Sequence, residues 1–343
     1  VREQFPHSAR RSNRGVLSDR GHACPNDKNS AAVILSPNHK ERTMIVVTGA
    51  TGNTGKPAAQ ALLAKGEKIH VIGRDRTKLE PLVQKGAQAF VANVEDPASL
   101  AKAFEGATAA YLVIPQNTHS EDFRAYQERV TDAYASAVAS SRVPYVVTLS
   151  STGAQHPEKT GPIVGLHHME RKLNSIEGLN VLHLRAADFM ENLFVYIQPI
   201  RTMGVLPGGS PADLPLSWIA AGDVGNYAAG RLSARDFSGV NAQELAGPRD
   251  VSLKEVASIV GKSIGKPNLG YMQVPFMMLE PAMVQIGMHK KMAALIIEMI
   301  KATNAGLRAV QEPRSPKNTT ATTLEAFVTE AFAPAYSAMS AKA

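Results

Sequence analysis

The sequence predicts an α/β fold in which a doubly wound parallel sheet carries helices on both faces and is followed by a smaller C-terminal lobe. Strand and helix signals alternate from residue 44 to about residue 190. Three glycines spaced three residues apart stand between the first strand signal and the first helix signal. Because crossovers between parallel strands are right-handed, a doubly wound sheet is the expected topology.

Apolar and β-branched runs define the expected strands, and the stretches between them define the helices. Gly66 and Gly86 stand where glycines end helices, and Asp96 before Pro97 has the pattern of a helix N-cap. The predicted strands are 44–48, 68–72, 88–92, 109–114, 145–149 and 181–184, and the predicted helices are 56–65, 78–85, 97–104, 121–140 and 166–176.

Residues 193–343 are expected to form a smaller, mainly helical substrate lobe that returns some residues to the sheet. Prolines and glycines between residues 199 and 215 predict a loop-rich stretch, and helices are expected at 253–264 and within 275–300. The last stretch is rich in methionine, which favours an adaptable core. The lining of an apolar substrate pocket is the alternative.

The net charge of +7 is unevenly distributed. Residues 1–43 hold eight Lys or Arg and four Asp or Glu, so the other 300 residues carry only +3. No concentrated basic run occurs in those 300 residues, and nucleic acid is therefore not an expected partner. Residues 1–43 are interpreted as a disordered N-terminal extension ahead of Met44, with a targeting segment as the alternative.

The only cysteine, Cys24, lies in that extension. Residues 44–343 therefore contain no disulfide, cysteine nucleophile or thiolate metal site, and a cytoplasmic location is expected. No stretch approaches the ~20 consecutive apolar residues that a membrane span needs, so a membrane is not an expected partner.

The glycine run predicts how the first strand meets a ligand. Gly49 allows a tight turn, Gly52 lets a phosphate approach the backbone, and Gly55 lets the new helix lie close to the sheet. The free N–H groups at the start of that helix would face a dinucleotide pyrophosphate. This predicts a Rossmann-type NAD(P)-binding domain over residues 44–192, with the pyrophosphate held by Gly49, Ala50, Thr51, Gly52, Asn53, Thr54 and Gly55.

The end of the second strand bears on the choice between NAD and NADP. An acidic side chain there accepts from the ribose hydroxyls, whereas an arginine pairs with a 2′-phosphate. Arg74 takes this place and Lys78 lies one helical turn further on, so the sequence favours NADP. Two alternatives stay open: Asp75 could serve a ribose hydroxyl, or these charges could be solvated loop residues.

Two other strand ends are expected beside the nucleotide, because ligands bind at the carboxyl ends of parallel strands. The fourth strand ends at Pro115 and Gln116, which we expect beside the cofactor. The fifth ends in the hydroxyls of residues 150–152, either near the nicotinamide side or as caps of the next loop.

The run 48–55, Arg74 and the serines that end the fifth strand resemble the atypical short-chain dehydrogenases/reductases. The segments 184–193, which contains a Phe-x-Glu-Asn-Leu run, and 218–224 are similar to the NmrA-like group of that family. The resemblance extends over most of residues 44–334. Two departures are Ala186, where the group usually has proline, and the histidines at 167–168, where lysine or histidine is common.

The resemblance implies an NADP-binding fold with a small C-terminal substrate lobe. Members act either as NAD(P)H-dependent quinone or carbonyl reductases or as non-catalytic redox sensors that bind regulators. On this basis Glu191 and Asn192 are expected to flank the nicotinamide half, and His167 to meet the cofactor. Residues 189–196 and the methionine-rich helices would line the acceptor pocket.

The usual proton relay of short-chain dehydrogenases is missing, because none of the eight tyrosines has a lysine four residues later. His168 and Lys172 share a helix face and are the candidate catalytic pair, with partly exposed helix side chains as the alternative. Quinone reduction needs little from a built-in acid, since the product oxygen can take a proton from water. We therefore predict an NADP-dependent oxidoreductase that transfers hydride to a small quinone-like acceptor.

A non-catalytic NAD(P)-binding sensor that presents a nucleotide-dependent surface to a regulatory protein is the alternative hypothesis. A homo-oligomer is also an expected form of the protein. A sugar-nucleotide epimerase is disfavoured because it needs the same missing tyrosine. The sequence contains no His-Glu-x-x-His and no Gly-x-Ser-x-Gly, so neither a metal site nor a serine hydrolase is expected.

Overall fold

The computed structural model describes residues 44–340. The expected extension 1–43, with Cys24, lies outside the described residues. In the first half of the described part, each predicted strand and helix is present with bounds that differ by at most three residues.

Strands and helices of the described residues are numbered in chain order. The strands are β1 (Met44–Val47), β2 (Lys68–Gly73), β3 (Gln88–Val91), β4 (Ala109–Leu112), β5 (Tyr145–Ser151), β6 (Asn180–Ala186), β7 (Asp188–Phe189), β8 (Val205–Gly208), β9 (Pro215–Ile219), β10 (Val240–Leu245), β11 (Asp250–Ser252) and β12 (Gly270–Gln273). The α-helices are α1 (Gly55–Ala64), α2 (Arg76–Val83), α3 (Pro97–Phe104), α4 (Phe123–Ser140), α5 (Ile163–Asn174), α6 (Ile197–Met203), α7 (Ala221–Ala234), α8 (Leu253–Ser263), α9 (Phe276–Gln285), α10 (Lys290–Asn304), α11 (Leu324–Phe327) and α12 (Ala333–Ser340). A 3₁₀-helix (Met190–Tyr196) precedes α6, and a π-helix (Val328–Phe332) joins α11 to α12.

Seven parallel strands form the central sheet in the order β10–β6–β5–β4–β1–β2–β3. Strands β2 and β3 are added on one side of β1, and β4, β5 and β6 are added on the other side. The order of the strands therefore reverses at β1, which pairs with both β2 and β4. This arrangement is the predicted Rossmann-type doubly wound sheet. The carboxyl ends of β1, β4, β5 and β6 therefore meet at one edge, where such sheets bind ligands.

The pleat of β1 sends alternate side chains into two different cores. Ile45 and Val47 pack with apolar side chains of α1 and α7 on one face, and Val46 packs with α3, α4 and α5 on the other. All three side chains are fully buried. A strand that is buried on both faces reads as a continuous apolar run, which is why β1 was predictable.

Helix ends follow the signals in the sequence. The carboxylate of Asp96 accepts a hydrogen bond from the Ala98 N–H at 3.0 Å, and Pro97 begins α3. Gly66 and Gly86 follow α1 and α2 with φ of +76° and +103°, a conformation that glycine adopts without strain. The expected N-cap and both terminal glycines are confirmed.

The C-terminal part contains more strand than expected. Strand β8 lies within residues 199–215, where the prolines predicted loops, and β9 begins at Pro215. Strand β8 pairs with β12, and β9 lies between β7 and β11. Each is a short strand in a sheet of two or three, so local sequence alone gave little sign of it. Trp218 of β9 anchors a third core and donates from its indole Nε1 to the Val251 carbonyl at 3.0 Å.

The methionine-rich stretch is helical as expected, but it is only partly the core that its composition favoured. It forms two helices, and α9 contains no buried residue. Met277 and Met278 are 82% and 61% exposed, whereas Met292 on α10 is 6% exposed. The expectation of core packing is therefore wrong for α9 and right for Met292.

Candidate functional site

The loop between β1 and α1 is shaped by its three glycines. Gly49 has φ of +59°, and its carbonyl accepts from the Gly52 N–H at 2.9 Å. A Cβ at Gly55 would lie 2.2 Å from the Gly49 oxygen, so no side chain fits there without moving the backbone. The helix thus starts in direct contact with the strand end.

The start of α1 is suited to an anion. Its first turn carries no acidic residue, and Thr54 makes no capping hydrogen bond with its side chain. Thr51, Gly52 and Asn53 are exposed beside this helix end, whereas Ala50 and Thr54 are buried beneath it. Open N–H groups and the helix dipole favour a phosphate at such a position.

Helix α7 packs against this loop, and its first residue contacts the Phe-x-Glu-Asn-Leu run. A Cβ at Gly225 would lie 2.3 Å from the Thr54 carbonyl oxygen, so the two backbones touch. The Glu191 carboxylate accepts from the Ala221 N–H, with both oxygens at 3.0–3.1 Å, at the start of α7. Burial raises the pKa of Glu191 above its ordinary value. The structure thus commits the Glu191 side chain to α7, and Asn192 is exposed.

Three cations follow β2. Arg74, Arg76 and Lys78 are exposed, and none of them forms an ion pair with another residue of the range 44–340. The Asp75 carboxylate accepts from the Thr77 N–H at 2.9 Å and caps α2. The acid of this segment is therefore engaged by its own helix, while the cations are open to a ligand.

Thr48 ties the end of β1 to the end of β4. Its buried hydroxyl donates to the Tyr111 carbonyl at 3.1 Å and accepts from the Val113 N–H at 2.8 Å. The hydroxyl of Tyr134 donates to the Val113 carbonyl at 2.9 Å. Pro115 and Gln116 follow in the loop after β4, with Gln116 exposed.

The two neighbouring histidines of α5 lie in different surroundings. The Nδ1 atom of His167 is 2.8 Å from the Ala154 carbonyl oxygen in the loop after β5. His168 is exposed, and Lys172 forms an ion pair with Asp132 of α4 at 3.0 Å. The predicted pair therefore lies on the α4 side of the helix, and His167 is the histidine that contacts a strand-end loop.

A buried polar network joins β5, α5 and β6, and no local sequence pattern predicts it. The Ser150 hydroxyl donates to the Glu170 carboxylate at 2.6 Å, and the Arg185 guanidinium forms two hydrogen bonds with the same carboxylate at 2.6 and 3.0 Å. Burial alone would raise the pKa of Glu170, but the hydrogen bonds from Arg185 and Ser150 lower it below its ordinary value. Ser150 is thus occupied, and the network fixes the carboxyl ends of β5 and β6.

A second buried polar group lies on the same two strands. The His183 ring contacts the Thr148 hydroxyl and the Asn174 side-chain oxygen, both at 2.8 Å. Burial lowers the pKa of His183 to about 4, so the imidazole is neutral at physiological pH.

Within residues 44–340, no three His, Cys, Asp or Glu side chains are grouped so that they could hold a metal ion. None of the helices in the same range is long and apolar enough to cross a bilayer.

The parallel sheet with a glycine loop at its point of reversal defines a Rossmann-type nucleotide-binding fold. The NmrA-like family matches residues 41–328, and the chain belongs to this family.

Two curated relatives are reductases. The chain is 25% identical over 260 residues to an NAD(P)H azoreductase of Xenophilus azovorans, which covers 75% of this chain and 86% of the relative. It is 26% identical over 224 residues to a (4-alkanoyl-5-oxo-2,5-dihydrofuran-3-yl)methyl phosphate reductase of Streptomyces griseus, which covers 65% of this chain and 75% of the relative.

Solved structures confirm the fold. An NADPH-dependent quinone oxidoreductase from Escherichia coli, complexed with NADPH, superposes with a TM-score of 0.70 at 23% identity and covers 84% of this chain and 100% of its own. A triphenylmethane reductase from Citrobacter sp., complexed with NADP(H), superposes with a TM-score of 0.66 at 20% identity and covers 79% and 92%.

Proposed function

We propose that this protein is an NADP-dependent oxidoreductase that reduces a small quinone-like acceptor. The observation that carries the proposal is the cradle between β1 and α1, where a Cβ at Gly55 would strike the Gly49 oxygen and the helix start is open to an anion. The reductases among the relatives support the same class of activity.

The preference for NADP is supported by the three cations after β2. A 2′-phosphate carries about two negative charges, and arginine binds phosphate through paired hydrogen bonds. Arg74 and Lys78 are exposed without an ion-pair partner in the range 44–340, and Asp75 is engaged as a helix cap. This arrangement favours NADP over NAD.

A bound NADPH would supply the hydride, and the protein would supply position. We propose that Pro115, Gln116 and the loop after β5 border the reacting half, because they follow β4 and β5 at the ligand-binding edge. His167 is the candidate side chain beside the acceptor: its Nδ1–H donates to the Ala154 carbonyl, so Nε2 of the neutral ring can accept a hydrogen bond from a ligand. The geometry supports His168 and Lys172 less well, since Lys172 is paired with Asp132.

The proposal is tested by mixing the protein with NADPH and 2-methyl-1,4-naphthoquinone without oxygen. We expect one NADPH consumed for each hydroquinone formed, with NADH much less effective. Tight NADPH binding without consumption in a screen of quinones, enones and azo dyes would overturn the enzyme proposal and favour the redox-sensor hypothesis. Cytoplasmic location, homo-oligomerisation and a regulatory protein partner stay predictions.

A further inference from the structure

Arg308 connects the C-terminal part of the chain to the ligand-binding edge of the sheet. It lies in the loop after α10, and its Nη2 donates to the Asp188 carboxylate at 2.7 Å. Its Nη1 donates to the Thr303 hydroxyl at 2.8 Å. Only 7% of the side chain is exposed, so the guanidinium is held in one orientation from two sides.

The third nitrogen of this guanidinium makes no hydrogen bond within residues 44–340. The Arg308 Nε–H is buried and has no hydrogen-bond partner among residues 44–340. At the end of α10, Oδ1 of Asn304 is buried and also lacks such a partner, while Nδ2 donates to the Gly209 carbonyl at 3.2 Å. A buried donor without an acceptor is unfavourable, so a ligand oxygen that accepts this hydrogen bond would be favoured.

The position of Arg308 places it toward the reacting half of a bound dinucleotide. Gly153 lies two residues beyond β5, Asp188 lies two residues beyond β6, and these strands are neighbours in the sheet. A Cβ at Gly153 would lie 3.0 Å from Cγ of Arg308, so the arginine packs directly on the loop after β5. Since Arg74 marks the adenosine side at β2, the other half of the nucleotide extends toward β4 and β5.

We propose that Arg308 binds an oxygen of the acceptor through its Nε–H, an assignment that rests on the proposed function. Asp188 and Thr303 hold the guanidinium in place before the acceptor arrives, so only the groups that cover the buried Nε–H have to move. The Asp188 carboxylate balances the guanidinium charge, which favours a neutral carbonyl compound over an anion. An oxygen that gains negative charge during reduction is stabilised by such a fixed donor, and removing one typically costs about 10²–10³ in rate.

The test measures acceptor binding without turnover. Protein saturated with NADP⁺, which has no hydride to transfer, is titrated with 2-methyl-1,4-naphthoquinone. Arg308→Lys keeps a cation for Asp188 but cannot hold Asp188, Thr303 and the quinone in the same geometry. We expect it to bind the quinone at least about tenfold more weakly while its affinity for NADP⁺ and its melting temperature stay close to wild type.

Arg314→Lys is the matched control. Arg314 follows α10 like Arg308, but it pairs with Asp250 of β11 and not with Asp188. We expect this variant to bind the quinone like the wild type. Arg308→Met should lose both quinone affinity and stability, since it leaves the Asp188 carboxylate without its partner.

Three results would overturn the assignment of Arg308: no quinone binding by the wild type, equal quinone affinity of Arg308→Lys and the wild type, or an equal loss of NADP⁺ and quinone affinity in Arg308→Lys. A failure of the proposed reductase function gives a different result. If the wild type binds quinone, Arg308→Lys binds it weakly, and NADPH is still not consumed, then the site stands and the reductase proposal falls.

Discussion

Arg74 is the side chain whose replacement most directly separates NADP from NAD binding. Arg74→Glu changes an attraction for the 2′-phosphate into a repulsion, and a charged hydrogen bond contributes about 1.5–3 kcal/mol. We expect the Kd for NADPH to rise by roughly 10- to 100-fold, and the Kd for NADH to change much less. Isothermal titration of both nucleotides measures the difference.

Lys262→Glu, an exposed charge reversal on α8, is the control for the change in net charge. This variant should change the Kd for NADPH and the Kd for NADH only slightly. Equal weakening of NADPH and NADH by Arg74→Glu would contradict the assignment of the 2′-phosphate.

His183 gives the molecule a pH dependence that belongs to folding. Burial lowers the pKa of its imidazole from 6.5 to about 4 in the folded state, so the unfolded chain binds more protons between these values. Stability is therefore complete above about pH 6.5 and declines as the pH falls toward 4, by up to about 3 kcal/mol. Denaturant unfolding across this range should show the decline.

His183→Gln removes the titrating group and is expected to flatten the same part of the profile. His168→Gln, at an exposed position of α5, serves as the control and should keep the wild-type slope. An unchanged slope in His183→Gln would mean that another group causes the decline.

Residues of the site differ in how far the sequence could predict them. The glycine loop and Arg74 are local signals, because each functional group lies within a few residues of the strand that positions it. The roles of Glu191 and Arg308 depend on contacts with Ala221 and Asp188, which are 30 and 120 residues away. Local periodicity carries no information about such pairs, so those roles came only with the tertiary structure.

Helix α7 shows how one element sets the geometry of another. Gly225 lies against the Thr54 carbonyl, whereas Gly230, one and a half turns further along the helix, has no atom within 4 Å of its would-be Cβ. Gly225→Ala should push α7 away from the glycine loop, at a cost of about 1–3 kcal/mol, and should weaken NADPH binding. Gly230→Ala should keep NADPH affinity and leave stability unchanged or higher by up to about 1 kcal/mol.

Thermal unfolding and NADPH titration of the two variants test this contact. If Gly225→Ala binds NADPH as tightly as Gly230→Ala, then α7 does not support the loop.

The strands β7, β8 and β9 were not predicted from the sequence, and one physical reason accounts for all three. The strands β1 to β6 of the central sheet are mostly apolar, with isolated polar residues such as His70 and His183. In contrast, β7 has two residues, and β8 and β9 begin or continue through prolines at 207 and 215. These short strands are fixed by neighbours distant in the chain, and their own composition favours loops.

The C-terminal part of the chain completes the nucleotide-binding part. It supplies β10 as the edge of the central sheet, and it supplies α7 to the face that carries α1. Removing either element would expose buried side chains of the first half, such as Ile45, Leu62 and Leu184. The boundary predicted near residue 192 should therefore separate the nucleotide-binding residues from the substrate lobe. The two parts should nevertheless unfold together.

Calorimetry tests this coupling together with the cofactor. We expect one cooperative unfolding transition for residues 44–343, shifted upward by NADP⁺, because a ligand at 100 times its Kd stabilises the folded state by about 2.7 kcal/mol. In a protein of this size each kcal/mol corresponds to roughly 2 °C, so the transition should rise by about 5 °C. NAD⁺ at the same concentration should shift it less, and Arg74→Glu should remove the difference between the two nucleotides. Two transitions, of which NADP⁺ moves only one, would show that the C-terminal lobe unfolds separately and that β10 and α7 do not couple it to the sheet.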